Sequence, residues 1–173
     1  MEVNGLPLHV LLVHFVVVLV PLTAIAALLV PIWPAARRRL GIVVPLLALA
    51  DLILVPVVTS AGEWLQARVP STPLIVQHAA LGHTLLPWVI ALFVFAVVQW
   101  AWFFFVDRPD SPRQPSVVVR RVVRIVLIVA ALVLTVGTVV EVVLIGEAGS
   151  RAIWENSFSP TPLPTTPAPS PAP

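Results

Sequence analysis

The chain has no cysteine, no lysine and no tyrosine, and only 10% of its residues are charged. Without cysteine there is no disulfide, no iron–sulfur ligation, no covalent haem attachment through a CxxCH motif and no thiolate nucleophile. A metal could be held only by His, Asp or Glu. A Ser-His-acid signature, an HExxH motif and a glycine-rich phosphate loop are missing as well, which argues against a hydrolytic enzyme. The pI near 11.0 does not signal nucleic acid, because the net charge is only +2 and the arginines fall in short clusters beside apolar runs.

What is present is apolar. Hydrophobic residues make up 59% of the chain and the mean hydropathy is +1.03, far outside the range of water-soluble domains. All ten basic residues are Arg, and Val, Ala, Leu and Pro abound, which reads as the coding bias of a high-GC bacterium. Four long apolar runs cover about Leu6–Trp33, Leu40–Ser60, Leu74–Val106 and Val122–Gly146. Each reaches the roughly 20 residues that cross about 30 Å of hydrocarbon. Lipid offers no partner for backbone N–H and C=O groups, so such runs must be helical. The expected fold is all-α: a four-helix, up-and-down transmembrane bundle over residues 1–158, its partner the lipid bilayer. The first run lacks a basic leader and is too long for a cleavable signal peptide. The last fifteen residues, SPTPLPTTPAPSPAP, hold seven prolines and no apolar face; residues 159–173 are expected to be a disordered Pro-rich C-terminal tail.

Eight of the ten arginines flank the ends that helices 1 to 2 and 3 to 4 share: Arg37, Arg38, Arg39, Arg108, Arg113, Arg120, Arg121 and Arg124. Only Arg68 and Arg151 lie on the other side. The positive-inside rule then predicts a multi-pass protein of the bacterial plasma membrane with both termini extracytoplasmic. Trp33, Trp100 and Trp102 at one level and Trp64 and Trp154 at the other fit an interfacial aromatic belt, with Trp88 deeper.

Candidate chemistry lies in two stretches, LPLHVLLVHF and QHAALGHT, which hold the four histidines of the chain at His-x4-His spacing: His9 with His14, and His78 with His83. In an up-and-down bundle all four share one end. Residues five apart on a helix diverge by about 140°, so one helix cannot easily grip an ion with both of its imidazoles. Ligation would run between helices, His14 facing His83 and His9 facing His78. Depth at about 1.5 Å per residue groups His14, His83 and Glu141 in one layer and His9 with His78 in a shallower one. An ionisable group in hydrocarbon costs about 2.5 to 3.5 kcal/mol on insertion scales, so the deeper layer is the predicted functional one. For His9 and His78 the expectation is ordinary interfacial hydrogen bonding. Asp51, near the middle of helix 2, is a second buried ionisable group, expected neutral and bonded to a threonine or to a carbonyl freed by a proline. Arg124 is expected to snorkel to the interface.

LPLHVLLVHF, HAALGH and IGEAGSRAIW together resemble the bacterial membrane family called domain of unknown function 2231, over roughly Leu6–Trp154. The resemblance implies a small four-helix membrane protein, and an electron-transfer setting, since some members of the family occur next to cytochrome c domains. Members often carry proline where this chain has Val10 and Val16.

Two functions follow as expectations. The first is a membrane module that holds haem b or a divalent metal on the outer side and works with other membrane redox subunits. In the haem version His14 and His83 ligate, with His9 and His78 as the second candidate pair, and Glu141 supports them from behind; in the metal version Glu141 joins His14 and His83 as a ligand. The second is an accessory subunit without cofactor, whose polar layer only fixes helix register. Transport through Asp51 and Glu141 is disfavoured because no internal inverted repeat is evident.

Overall fold

The computed structural model describes residues 1–108, 114–155, 157–159 and 161–162. The expected tail, apart from Ser159, Thr161 and Pro162, lies outside the described residues, as does Arg113. A two-strand hairpin opens the chain, β1 (Glu2–Val3) against β2 (Leu6–Pro7). Its turn is Asn4-Gly5 with φ of 52° and 76°, the pair of left-handed residues that a tight hairpin demands. Helices follow: α1 (Leu8–Ile32), a short α2 (Pro34–Leu40), α3 (Val43–Gln66), α4 (Pro73–Ala101) continued by a π-turn (Trp102–Val106), and α5 (Val117–Trp154). Four of them are long and apolar enough to cross a membrane, so the architecture is the expected helical bundle.

Three boundaries differ from the sequence expectation. The segment after the first span is helical, because Pro34 stands at N1 and good helix formers follow it. α3 runs past Ser60 to Gln66, which puts Glu63 on a helix rather than in a loop. α5 starts and ends well beyond 122–146: Ser116 caps its first turn by accepting from Val119 N–H, and the Glu147–Arg151 pair at 2.6 Å supports its last.

In three of the spans buried residues recur at alternating steps of four and three. In α1 these are Val16, Val20, Thr23, Ala27 and Val30, and in α3 Val44, Ala48, Asp51, Val55 and Val58. α4 follows with Leu85, Val89, Leu92, Ala96 and Gln99. This seven-residue seam is that of left-handed four-helix bundles. The opposite faces, with Phe15, Val18, Ile53 and Val133 among them, are as apolar as the seams and exposed, as a lipid-facing surface requires. α1 packs against α3 and α5, and α4 against the same two, so α1 and α4 occupy one diagonal of a square and α3 and α5 the other.

The seam also discloses an internal repeat. Val16, Val20, Thr23, Ala27 and Val30 of α1 correspond at one constant offset to Leu85, Val89, Leu92, Ala96 and Gln99 of α4. Val44, Asp51, Val55 and Ala61 of α3 correspond at another to Ala131, Thr138, Val142 and Ala148 of α5. The two halves run in the same direction. This is a parallel repeat about an axis along the bundle, unlike the inverted repeat sought in the sequence.

Candidate histidine site

The diagonal arrangement carries His9, one residue into α1, and His78, in the second turn of α4, to the same end of the bundle. Their rings meet across the axis with centroids 6.1 Å apart and planes inclined at 77°. Each is anchored to the helix that follows it in its half. His9 Nδ1 lies 3.0 Å from the carbonyl oxygen of Val58 on α3, and His78 Nδ1 lies 3.1 Å from that of Ile145 on α5. A carbonyl only accepts, so in both rings Nδ1 carries the donated proton; in the neutral ring Nε2 then keeps its lone pair.

Four residues beyond each accepting carbonyl stands a glycine. A Cβ on Gly62 would come 2.9 Å from His9 Nδ1, and one on Gly149 would come 2.9 Å from His78 Cε1. The absent side chains are therefore the seats of the two rings. Val58 with Gly62 and Ile145 with Gly149 match at the offset that relates α3 to α5, so one device occurs twice around the axis. Among the described residues no hydrogen-bond partner engages Nε2 of either ring.

The other two histidines go elsewhere. His14 is exposed and its Nδ1 sits 2.9 Å from Val10 O in its own helix. His83 Nε2 lies 3.5 Å from Glu63 Oε1, with both side chains more than half exposed. The deeper layer of His14, His83 and Glu141 does not assemble, because Glu141 accepts a hydrogen bond from Thr84. Among the described residues no group of three His, Asp or Glu side chains is placed to hold a metal ion, so His14, His83 and Glu141 are not brought together. The cause is the 140° divergence within each pair: once His9 and His78 face the axis, His14 and His83 must turn away from it.

Asp51 is wholly buried, as expected, beside Thr23. The Thr23 hydroxyl donates to Leu19 O at 2.9 Å instead, and both carboxyl oxygens of Asp51 lack a hydrogen bond. Thr23 is the threonine neighbour expected of this carboxyl, though its hydroxyl is directed to its own helix. Arg124 does more than snorkel: it donates to the carbonyls of Pro31 and Ile32 at 2.8 and 2.9 Å, closing the C-terminal end of α1. Sequence reasoning missed Gly62 and Gly149; their signal was a small residue one turn beyond the accepting carbonyl. No family model, curated protein or solved structure matches the chain.

Proposed function

We propose that this chain is a multi-pass protein of the bacterial plasma membrane that holds a transition-metal centre between His9 and His78 at the end of the bundle opposite the arginines. The observation that carries the reading is the facing pair itself. Two imidazoles are held 6.1 Å apart, each with Nδ1–H committed to a backbone carbonyl and Nε2 left as a donor to metal. Metal-binding histidines are oriented by that same bond from their other nitrogen. Rings that bond one ion from opposite sides at about 2 Å each place their centroids about 6 Å apart.

Of the two versions, haem b fits better than a bare divalent ion. Haem b can be held by a pair of histidine imidazoles, and His9 and His78 would supply them. A zinc-like site wants three or four protein ligands, and no third His, Asp or Glu joins the pair among the described residues. When bound, the haem would supply one-electron chemistry, and the two residues would hold and orient it. The likeness of LPLHVLLVHF, HAALGH and IGEAGSRAIW to domain of unknown function 2231 supports the same setting, as does a membrane location suited to other redox subunits. By the positive-inside rule the arginine end is cytoplasmic and the histidine end, with both termini, is outside.

The test is an absorption spectrum with metal analysis on full-length protein purified from haem- and metal-replete membranes. A Soret band is expected, lost in His9→Ala and in His78→Ala and retained in His14→Ala and His83→Ala. A stoichiometric metal without a Soret band would assign a bare ion, and neither signal would overturn the reading. The alternative, an accessory subunit without cofactor, draws on the same bonds, since they tie α1 to α3 and α4 to α5 whether or not metal is present. It would show as a protein with no spectrum whose stability falls in both inner-histidine variants.

A further inference from the structure

At the opposite end of the bundle a cavity of about 290 Å³ opens between α2, the π-turn and the first turns of α5. Among the described residues, Arg37, Arg120, Arg121 and Arg124 line it against one carboxylate, that of Asp107. Asp107 is already shared: Arg120 Nε lies 2.5 Å from one oxygen and Arg37 Nη1 3.5 Å from the other. Arg124 spends two of its donors on Pro31 and Ile32 carbonyls. Arg121 has no ion pair or hydrogen bond among the described residues.

Cation density is therefore in excess. Arg37 is half-buried and stacks on the Phe103 ring at 3.8 Å. Burial is the main influence holding its guanidinium below the ordinary arginine value; Asp107 opposes this, and nearby Arg124 and Arg120 add to it. Charges of one sign crowded into a partly enclosed space leave an anion as the missing member. Guanidinium forks match the tetrahedral oxygens of phosphate, which can accept from several arginines at once. A carboxylate has only two oxygens to share.

We propose that this cavity binds a phosphate group, carried by the headgroup of an anionic phospholipid. The lipid source is favoured by what adjoins it: Val117 and Val118, at the start of α5, are 72% and 70% exposed, an apolar surface for an acyl chain next to Arg120 and Arg121. Basic recesses between helices at a membrane surface recognise anionic headgroups by this combination of charge and apolar flank.

The test uses the full chain in neutral detergent and compares phosphatidylglycerol, phosphatidylcholine and inorganic phosphate by thermal midpoint and by native mass spectrometry. Phosphatidylglycerol should bind and raise the midpoint where phosphatidylcholine does not. Arg121→Gln should weaken that binding about tenfold and leave the midpoint without lipid unchanged, since Arg121 holds nothing else in place. Arg39→Gln removes the same charge from α2 outside the cavity and should leave binding intact. If inorganic phosphate alone reproduces the rise, the phosphate site stands and its source is soluble. Equal weakening by Arg121→Gln and Arg39→Gln, or no effect of either phosphate source, would overturn the proposal.

Discussion

Glycine at Gly62, Gly137 and Gly149 makes room for a ring, whereas Gly82 and Gly146 face open space. A Cβ on Gly137 would collide with the six-membered ring of Trp88, and one on Gly62 would push His9 off the Val58 carbonyl. We expect Gly137→Ala and Gly62→Ala to destabilise the bundle by about 1 to 3 kcal/mol each through overpacking. Gly146→Ala, with nothing to strike, should instead stabilise α5 by about 0.5 to 1 kcal/mol through reduced backbone entropy of the unfolded chain. Denaturant titration in mixed micelles reads all three, and a destabilised Gly146→Ala would contradict the open space seen there. Asp51 gives the converse case. Its carboxyl occupies the bundle interior beside Thr23 with no hydrogen bond of standard geometry, so the site carries a desolvation cost of about 1 to 3 kcal/mol that Thr23 offsets only in part. Asp51→Val should raise stability by a similar amount. A fall would mean that the carboxyl has a partner under assay conditions.

Among the elements, α1 depends on α5 at its arginine end. The last carbonyls of a helix lack intrahelical donors, and Trp33 N–H reaches only Leu29 O. Arg124 supplies Pro31 and Ile32 from the neighbouring helix. Hydrogen bonds from a charged donor contribute about 1.5 to 3 kcal/mol, less where water competes, and Arg124 is exposed. Arg124→Gln should therefore cost about 1 kcal/mol and make amide exchange of the α1–α2 junction faster, with α3 and α4 unchanged. Proline positions argue similarly for helical continuity. Pro21, Pro56 and Pro87 all lie inside helices that continue through them, as prolines in membrane-spanning helices commonly do.

For the whole molecule, the parallel repeat makes the two halves comparable by experiment. His9 and His78 have the same type of carbonyl partner and the same glycine seat, so His9→Ala and His78→Ala should have closely similar effects on stability. An order-of-magnitude difference in unfolding rate between them would show that the symmetry is only geometric. Orientation is read by reporter fusions after Phe158 and within 108–113. The expectation is opposite sides of the membrane, from the arginine asymmetry; the same side for both would exclude four complete spans.

Composition and run length alone settled that the chain is a bundle of four apolar helices, because backbone polar groups in hydrocarbon have no other solution. The Asn4-Gly5 hairpin and the helical Pro34–Leu40 segment went unread, though turn chemistry and helix propensity carried a signal for each. The i,i+5 divergence in each histidine pair was visible, and it pointed to contacts between helices, His14 with His83 and His9 with His78. Which of these contacts forms was beyond the sequence. In a soluble helix the apolar stripe sets the rotation about the axis, but these helices are apolar all round and the lipid is as apolar as the core. Rotation is then decided by close packing and a few polar ties. The ring of His9 against Gly62, the ring of Trp88 against Gly137 and Thr135 donating to Ala24 O at 3.0 Å exist only once the helices have met. Those contacts turned His9 and His78 to the axis, sent His14 and His83 outward, and gathered four arginines around one cavity.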